Sequence, residues 1–117
     1  MSDATIQSTL QYPPESGVSP VQIPKSVTIS SFTEKVDSTY LLDTGVGQDL
    51  DLGSVASAKA LYMSSDQDIV VYINGAVTGF NIVANGYFIL AGGASDITSI
   101  SVDVSVDNTS IRLWAVE

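Results

Sequence analysis

A run of strict alternation near the end of the chain, residues 97–107, constrains the fold most strongly. Successive side chains of a β-strand point to opposite faces, so a two-residue apolar period predicts a strand with one buried and one wet face. Residues 107–110 are Asp-Asn-Thr-Ser, residue types that favour turns, and residues 111–116 are predicted to form a closing strand. The apolar face of the alternating run comprises Ile100, Val102, Val104 and Val106.

The same pattern recurs from about residue 26 onward, interrupted by turn residues. Asn74-Gly75 is the strongest short hairpin signal, and Asn85-Gly86 predicts a second turn. No stretch repeats apolar residues at helical spacing over three turns. Eight or nine short strands at about ten-residue spacing predict an all-β domain, an antiparallel β-sandwich or a small barrel. The predicted strands are 27–32, 38–42, 50–52, 58–64, 68–73, 76–83, 87–91, 97–107 and 111–116.

Residues 1–25 differ from the rest because they contain all four prolines. Proline fixes φ, lacks an N–H donor and pushes the preceding residue towards extended geometry. We therefore predict an extended N-terminal arm without a regular strand ladder, followed by a sandwich domain over residues 26–117. The arm is either a flexible or surface-draped terminus, or it docks on a neighbouring subunit. For docking, the candidate anchors are Ile6, Leu10, Tyr12, Pro13 and Pro14.

Two predicted strands, 69–73 and 87–90, are apolar on both faces. Because one face of an antiparallel sheet normally meets solvent, such strands need a second cover. The arm or a second subunit could supply that cover. Val70, Tyr72 and Trp114 are accordingly predicted to bind a partner, with core filling as the other interpretation of the two aromatic side chains.

The residue types that are missing exclude several kinds of chemistry. The chain has no cysteine and no histidine, which excludes disulfides, zinc–thiolate sites and a Ser-His-Asp triad. Its net charge of −9, with four Lys+Arg against thirteen Asp+Glu, makes nucleic acid an unfavourable partner. The start of the chain lacks a secretory signal pattern, and turn residues interrupt every long apolar stretch. We therefore expect a soluble protein with no membrane partner.

Paired carboxylates are the remaining candidates for chemistry, since two of them could hydrolyse a glycosidic bond. We expect Asp103 and Asp107 to share a solvated strand face, and the Asp66/Asp68 pair to flank a turn. The segment 45–53, which contains Asp49 and Asp51, has alternating carboxylates but lacks the ligand spacing of a calcium loop. We therefore predict no catalytic residue, no metal site and no cofactor, and hence a protein that is not an enzyme.

The stretch from residue 58 to residue 117 resembles small β-sandwich accessory proteins of tailed-phage virions. The resemblance lies in residues 60–75, in residues 86–91, in the Ser/Asp-alternating strand and in the closing Ile-Arg-Leu-Trp strand. It implies a jelly-roll-like fold and a non-enzymatic virion component, such as a capsid decoration (cement) protein or a small head or tail subunit. The implied partners are capsid protein subunits and further copies of the chain, commonly in a trimer, on the capsid exterior.

A carbohydrate- or receptor-binding module of a virion fibre or tail is the alternative interpretation. It depends on Trp114 and the five tyrosines, whose rings could stack on sugars beside Asp and Asn groups. This alternative predicts that several of these rings face solvent and lie together.

Overall fold

The computed structural model describes residues 2–12, 21–91 and 97–117. Within these residues there are ten strands and no helix. Accordingly, the described segments contain no helix that is long and apolar enough to cross a membrane. The strands are β1 (Ser2–Tyr12), β2 (Val21–Phe32), β3 (Lys35–Leu42), β4 (Gly45–Asp49), β5 (Ala60–Ser65), β6 (Ile69–Ile73), β7 (Phe80–Ile82), β8 (Tyr87–Ala91), β9 (Ile100–Val104) and β10 (Thr109–Val116).

Strands β3 to β10 form two four-stranded sheets, in the orders β3-β10-β5-β8 and β4-β9-β6-β7. The antiparallel pairing is nested along the sequence, from the outermost strands to the innermost. It joins β3 with β10, β4 with β9, β5 with β8 and β6 with β7. Two such sheets with this nested pairing make a jelly roll. The predicted all-β, antiparallel, jelly-roll-like sandwich is confirmed.

The core lies between the two sheets and is built from the predicted alternation. In β10, Ile111, Leu113 and Ala115 are fully buried, and Ile100, Val102 and Val104 of β9 face them from the other sheet. Burying each valine- or leucine-sized side chain contributes about 1.5–3 kcal/mol, so this interior is the main source of stability.

The alternating run 97–107 forms a shorter strand than predicted. Strand β9 ends at Val104, while Val106 is 44% exposed, and Asp107 lies in the following turn. Placing Val106 in the buried face was therefore wrong. The physical reason is that β9 and β10 belong to different sheets, so the chain must leave the first sheet here, with Asn108 at a φ of 60°.

Two other predicted strands also differ. Residues 50–52 form a loop after β4, in which the Gly53 N–H donates to the Asp51 carboxylate at 2.8 Å, a local bond that competes with strand pairing. The strand predicted over 76–83 is limited to β7. The Asn74-Gly75 turn itself is present, with φ values of 55° and 71°.

The prediction that the N-terminal segment lacks a strand ladder is wrong. Strands β1 and β2 pair in an antiparallel hairpin, and β2 continues from Val21 through residue 25 to Phe32. Pro24 lies within β2 opposite Thr9. A proline is tolerated there because each strand of a two-stranded hairpin has a free edge that needs no N–H donor. Pro13, Pro14 and Pro20 lie outside the described residues.

One half of the hairpin packs on the sandwich and the other half extends away from it. Ala4 is buried against the outer side of the first sheet, together with Ala60 and Val116, while the side chains described in residues 8–10 and 24–26 are all exposed. The radius of gyration is 16.0 Å, against about 13 Å for a compact chain of this length. The distal half of the hairpin therefore projects from the molecule.

Candidate functional site

The predicted partner-binding residues lie on separate surfaces. Ile6 and Trp114 are half-buried, and both pack against the small cluster where the hairpin meets the first sheet. Val70 and Tyr72 lie on β6, in the other sheet. Leu10, 60% exposed, lies on the projecting part of the hairpin.

Of the other predicted anchors, the structure places only the backbone of Tyr12. Tyr12 ends β1 opposite Val21, but its side chain lies outside the description. Pro13 and Pro14 lie outside the described residues.

The outer face of the first sheet carries a row of aromatic side chains. Trp114 on β10 is opposite Tyr62 on β5, which in turn is opposite Ile89 on β8. Tyr62 also stacks on Tyr87, with ring centroids 6.2 Å apart and an angle of 23° between the rings. Tyr87 is 66% exposed, whereas Tyr62 and Trp114 are half-buried. Three of the aromatic residues thus lie together on one face, with an open ring at one end.

The hairpin converts this face into a groove, which we call the aromatic groove. Ile6 and Gln7 of β1 form one side of a cavity of about 550 Å³, with Tyr62, Ile89 and Trp114 lining the sheet side. A second cavity, of about 390 Å³, also includes Tyr62 and continues towards the loops at the end of the sandwich. Its polar lining includes Ser64, Asp66, Asn85, Ser110 and Arg112.

An ion pair lies beside the aromatic row. Arg112, which lines both cavities, donates from Nε to Asp37 Oδ1 at 2.8 Å. Both side chains are exposed to solvent, so the pair adds little stability. Its effect is to hold a guanidinium and a carboxylate in a fixed relative position next to Trp114 and Tyr62.

The outer face of the second sheet is apolar at its centre and polar around it; we call it the β6 face. Val70 lines a cavity of about 550 Å³ together with the exposed side chains of Val46 (86%) and Val83 (64%). The Tyr72 hydroxyl donates to Asp103 at 2.7 Å, and this bond to a carboxylate raises the pKa of the Tyr72 hydroxyl above its usual value.

The chain itself partly covers β6, which neither predicted cover anticipated. Gly79, in the loop between β6 and β7, lies so close that a Cβ there would be 2.6 Å from Val70 and 2.8 Å from the Tyr72 ring. The arm covers β5 and β10 on the other sheet instead. The structure therefore leaves the β6 face half-covered, with Val46 and Val83 as its open apolar groups.

The paired carboxylates hold loops together. Asp66 accepts the Ser110 N–H at 2.9 Å and Asp68 accepts the Ala84 N–H at 2.7 Å. Asp107 accepts the Thr44 N–H at 2.9 Å, which lowers the pKa of the Asp107 carboxyl below its usual value.

Asp103 differs from the solvated side chain that we predicted. It is half-buried and accepts bonds from Tyr72 and from the Gly47 N–H, the latter at 2.8 Å. Within the described ranges, no group of three or more acidic residues is positioned to hold a metal ion. Each of the four carboxylates of Asp66, Asp68, Asp103 and Asp107 thus accepts a hydrogen bond that links two parts of the chain.

Comparison of the chain with protein-family models, with curated proteins and with solved structures found no match. A jelly roll supports unrelated functions, so function must be argued from the surfaces themselves.

The alternative interpretation of the sequence grouped all five tyrosines with Trp114 without singling out Tyr62 and Tyr87, and it did not include Arg112 and Asp37 in that surface. The alternation in β5 and β10 places Tyr62 and Arg112 opposite the buried faces of their strands. That signal was available, but their proximity follows from β5 and β10 being neighbours in the sheet.

Proposed function

We propose that this chain is a non-enzymatic structural protein of a phage virion, a capsid decoration (cement) protein located on the capsid exterior. In this proposal it binds capsid protein subunits and further copies of itself, with a trimer as the favoured assembly. The resemblance of residues 58–117 to virion accessory proteins supports the proposal, as does the jelly roll, an architecture that capsid proteins use. The observation that carries it is the N-terminal hairpin, which extends well past the domain that anchors it.

The hairpin has the chemistry of a docking element. Its strands pair with each other on one side only, so each offers an edge to which a partner strand can add by main-chain hydrogen bonds. Leu10 provides an exposed apolar side chain on the projecting half. At about 25 cal/mol per Å² of apolar surface, even a small contact becomes significant when it is repeated around a closed lattice.

The β6 face provides a second contact surface in the same proposal. Val46 and Val83 together present apolar area around Val70 that the chain leaves open. Burial of this face against a capsid subunit would supply the second cover that the apolar sequence of β6 requires.

The proposal is tested by adding the full chain to phage particles from which it has been stripped and measuring co-sedimentation. Leu10→Asp places a charge on the projecting apolar position and is expected to reduce binding at least about tenfold, since a buried unpaired charge costs several kcal/mol. Thr9→Asp is the matched control, one residue away on the opposite face of β1, and should bind nearly as the unchanged chain does.

Two outcomes would contradict the proposal. If the unchanged chain does not bind stripped particles and sediments as a monomer at all concentrations, the structural function is wrong. If Leu10→Asp binds as tightly as the unchanged chain, the hairpin is not the docking element.

A further inference from the structure

The aromatic groove combines features that the structural function does not use. Its two adjoining cavities, of about 550 and 390 Å³, share Tyr62 and Arg112. Small-molecule sites are concave, have volumes of about 300–1,000 Å³, and are lined by aromatic side chains with a few polar groups. The groove fits this description, and unlike the equally large cavity of the β6 face it is lined by aromatic side chains.

The aromatic rings suit the apolar faces of sugar rings. Tyr87 is open to solvent, and its stacking on Tyr62 fixes the orientation of both rings. Trp114 continues the row on the next strand. Tyrosine and tryptophan present a large apolar surface with little conformational freedom to lose, so a ligand with flat C–H faces gains contact at low entropic cost.

The polar groups around these rings suit hydroxyl groups, which both donate and accept hydrogen bonds. The guanidinium of Arg112 supplies only donors and the carboxylate of Asp37 only acceptors, and their 2.8 Å bond holds them side by side. Ser64 and Asn85, further along the groove, can do both.

The charges select against ionic ligands. Arg112 is already neutralised by Asp37, Asp66 lies in the same groove, and the whole chain carries a net charge of −9. An acidic glycan would be repelled by the field of the protein, and a cationic ligand would compete with Arg112 for its carboxylate.

We propose that the aromatic groove, lined by Trp114 and Tyr62, with Tyr87 stacked on Tyr62 at its edge and the Arg112–Asp37 pair beside it, binds a neutral hexose oligosaccharide. At least two successive sugar rings lie over the aromatic row, and their hydroxyl groups bond to the polar rim. This activity is independent of particle binding, because the groove is distinct from both the projecting hairpin tip and the β6 face.

Trp114 is the only tryptophan of the chain, so its fluorescence reports on the groove directly. The labelled full chain is screened on an array of neutral and acidic glycans, and the strongest neutral ligands are titrated while the emission is recorded. We expect saturable binding of neutral oligosaccharides with a change in Trp114 emission. Tyr87→Ala should weaken binding about 2- to 10-fold, the size of one ring contact, and Tyr87→Phe should restore most of it.

Val77→Ala is the matched control, since it truncates an exposed side chain in the loop between β6 and β7, which lines neither cavity of the groove. It should leave the affinity unchanged. The proposal is overturned if no neutral glycan binds at millimolar concentration, if only acidic glycans bind, or if Tyr87→Ala binds as tightly as the unchanged chain. Circular dichroism of each variant verifies that the fold is retained.

Discussion

Docking of the N-terminal hairpin on the sandwich should depend on Ile6, and Ile6→Ala should loosen the hairpin measurably. Ile6 is half-buried in the small cluster around Ala4, Ala60 and Val116. Replacing a fully buried isoleucine by alanine costs about 2–5 kcal/mol, so a half-buried one should cost about 1–2 kcal/mol. Because an isolated two-stranded hairpin is only marginally stable in water, a detached hairpin should also lose its strand pairing.

Trypsin cleavage after Lys25 measures this opening. Lys25 lies in β2 opposite Ser8, so the protease can cut there only when the two strands separate. With only four Lys+Arg in the chain, the fragment 1–25 is easily identified by mass. When opening is fast relative to cleavage, the rate follows the open population. A loss of about 1–2 kcal/mol should therefore accelerate cleavage about 5- to 30-fold.

Leu10→Ala is the matched control for Ile6→Ala. Leu10 lies four residues further along the same face of β1, but beyond the sandwich and largely exposed. It should change the cleavage rate less than about threefold, since exposed substitutions rarely exceed about 0.5 kcal/mol. Equal acceleration by the two variants would refute docking through Ile6, and so would no acceleration by Ile6→Ala.

Three further predictions concern the sandwich and its charge. Gly79→Ala should lower the free energy of unfolding in urea by about 1–3 kcal/mol, because its Cβ would be 2.6 Å from Val70; an unchanged midpoint would contradict the close approach. The folded state lowers the pKa of Asp107, so the ionised carboxylate stabilises the fold above about pH 4. This contribution is lost as the pH falls through the folded pKa. Asp107→Asn should therefore show a smaller drop in urea midpoint between pH 7 and pH 3 than the unchanged chain. If acidic copies associate, raising the ionic strength from about 0.02 to 0.5 M should strengthen self-association in sedimentation by screening the net charge of −9, whereas weakening would indicate complementary charges at the contact.

The strands whose apolar residues alternate were the ones most readily predicted from sequence. In β9 and β10 the alternation predicted which side chains are buried, as Val102 and Leu113 show. The same rule failed at Val106, because period two describes a strand but does not say where the chain leaves the sheet. Strand order was harder still. The pairing of β3 with β10 joins residues some seventy positions apart, such as Tyr40 and Ile111, and no local signal specifies it.

The four prolines led to the wrong prediction that the N-terminal segment has no strand ladder. A proline argues against a central strand, but it does not argue against a two-stranded hairpin, in which one edge of each strand needs no partner. Pro24 opposite Thr9 is such a case. The anchors Ile6 and Trp114 were identified separately from sequence, and the hairpin is what brings them together.

Different parts of the chain cover the apolar outer faces of the two sheets. On the first sheet the hairpin covers Ala60 and Val116 completely but stops short of Tyr87, and its edge creates the wall of the aromatic groove. On the second sheet a glycine allows a loop to fold over β6, which covers Val70 from one side only. A side chain at Gly79 would clash with Val70 and Tyr72, so the close approach of this loop depends on the glycine. In the two proposals the first face binds a small ligand and the second face binds a capsid subunit, so the two functions use separate faces of one small fold.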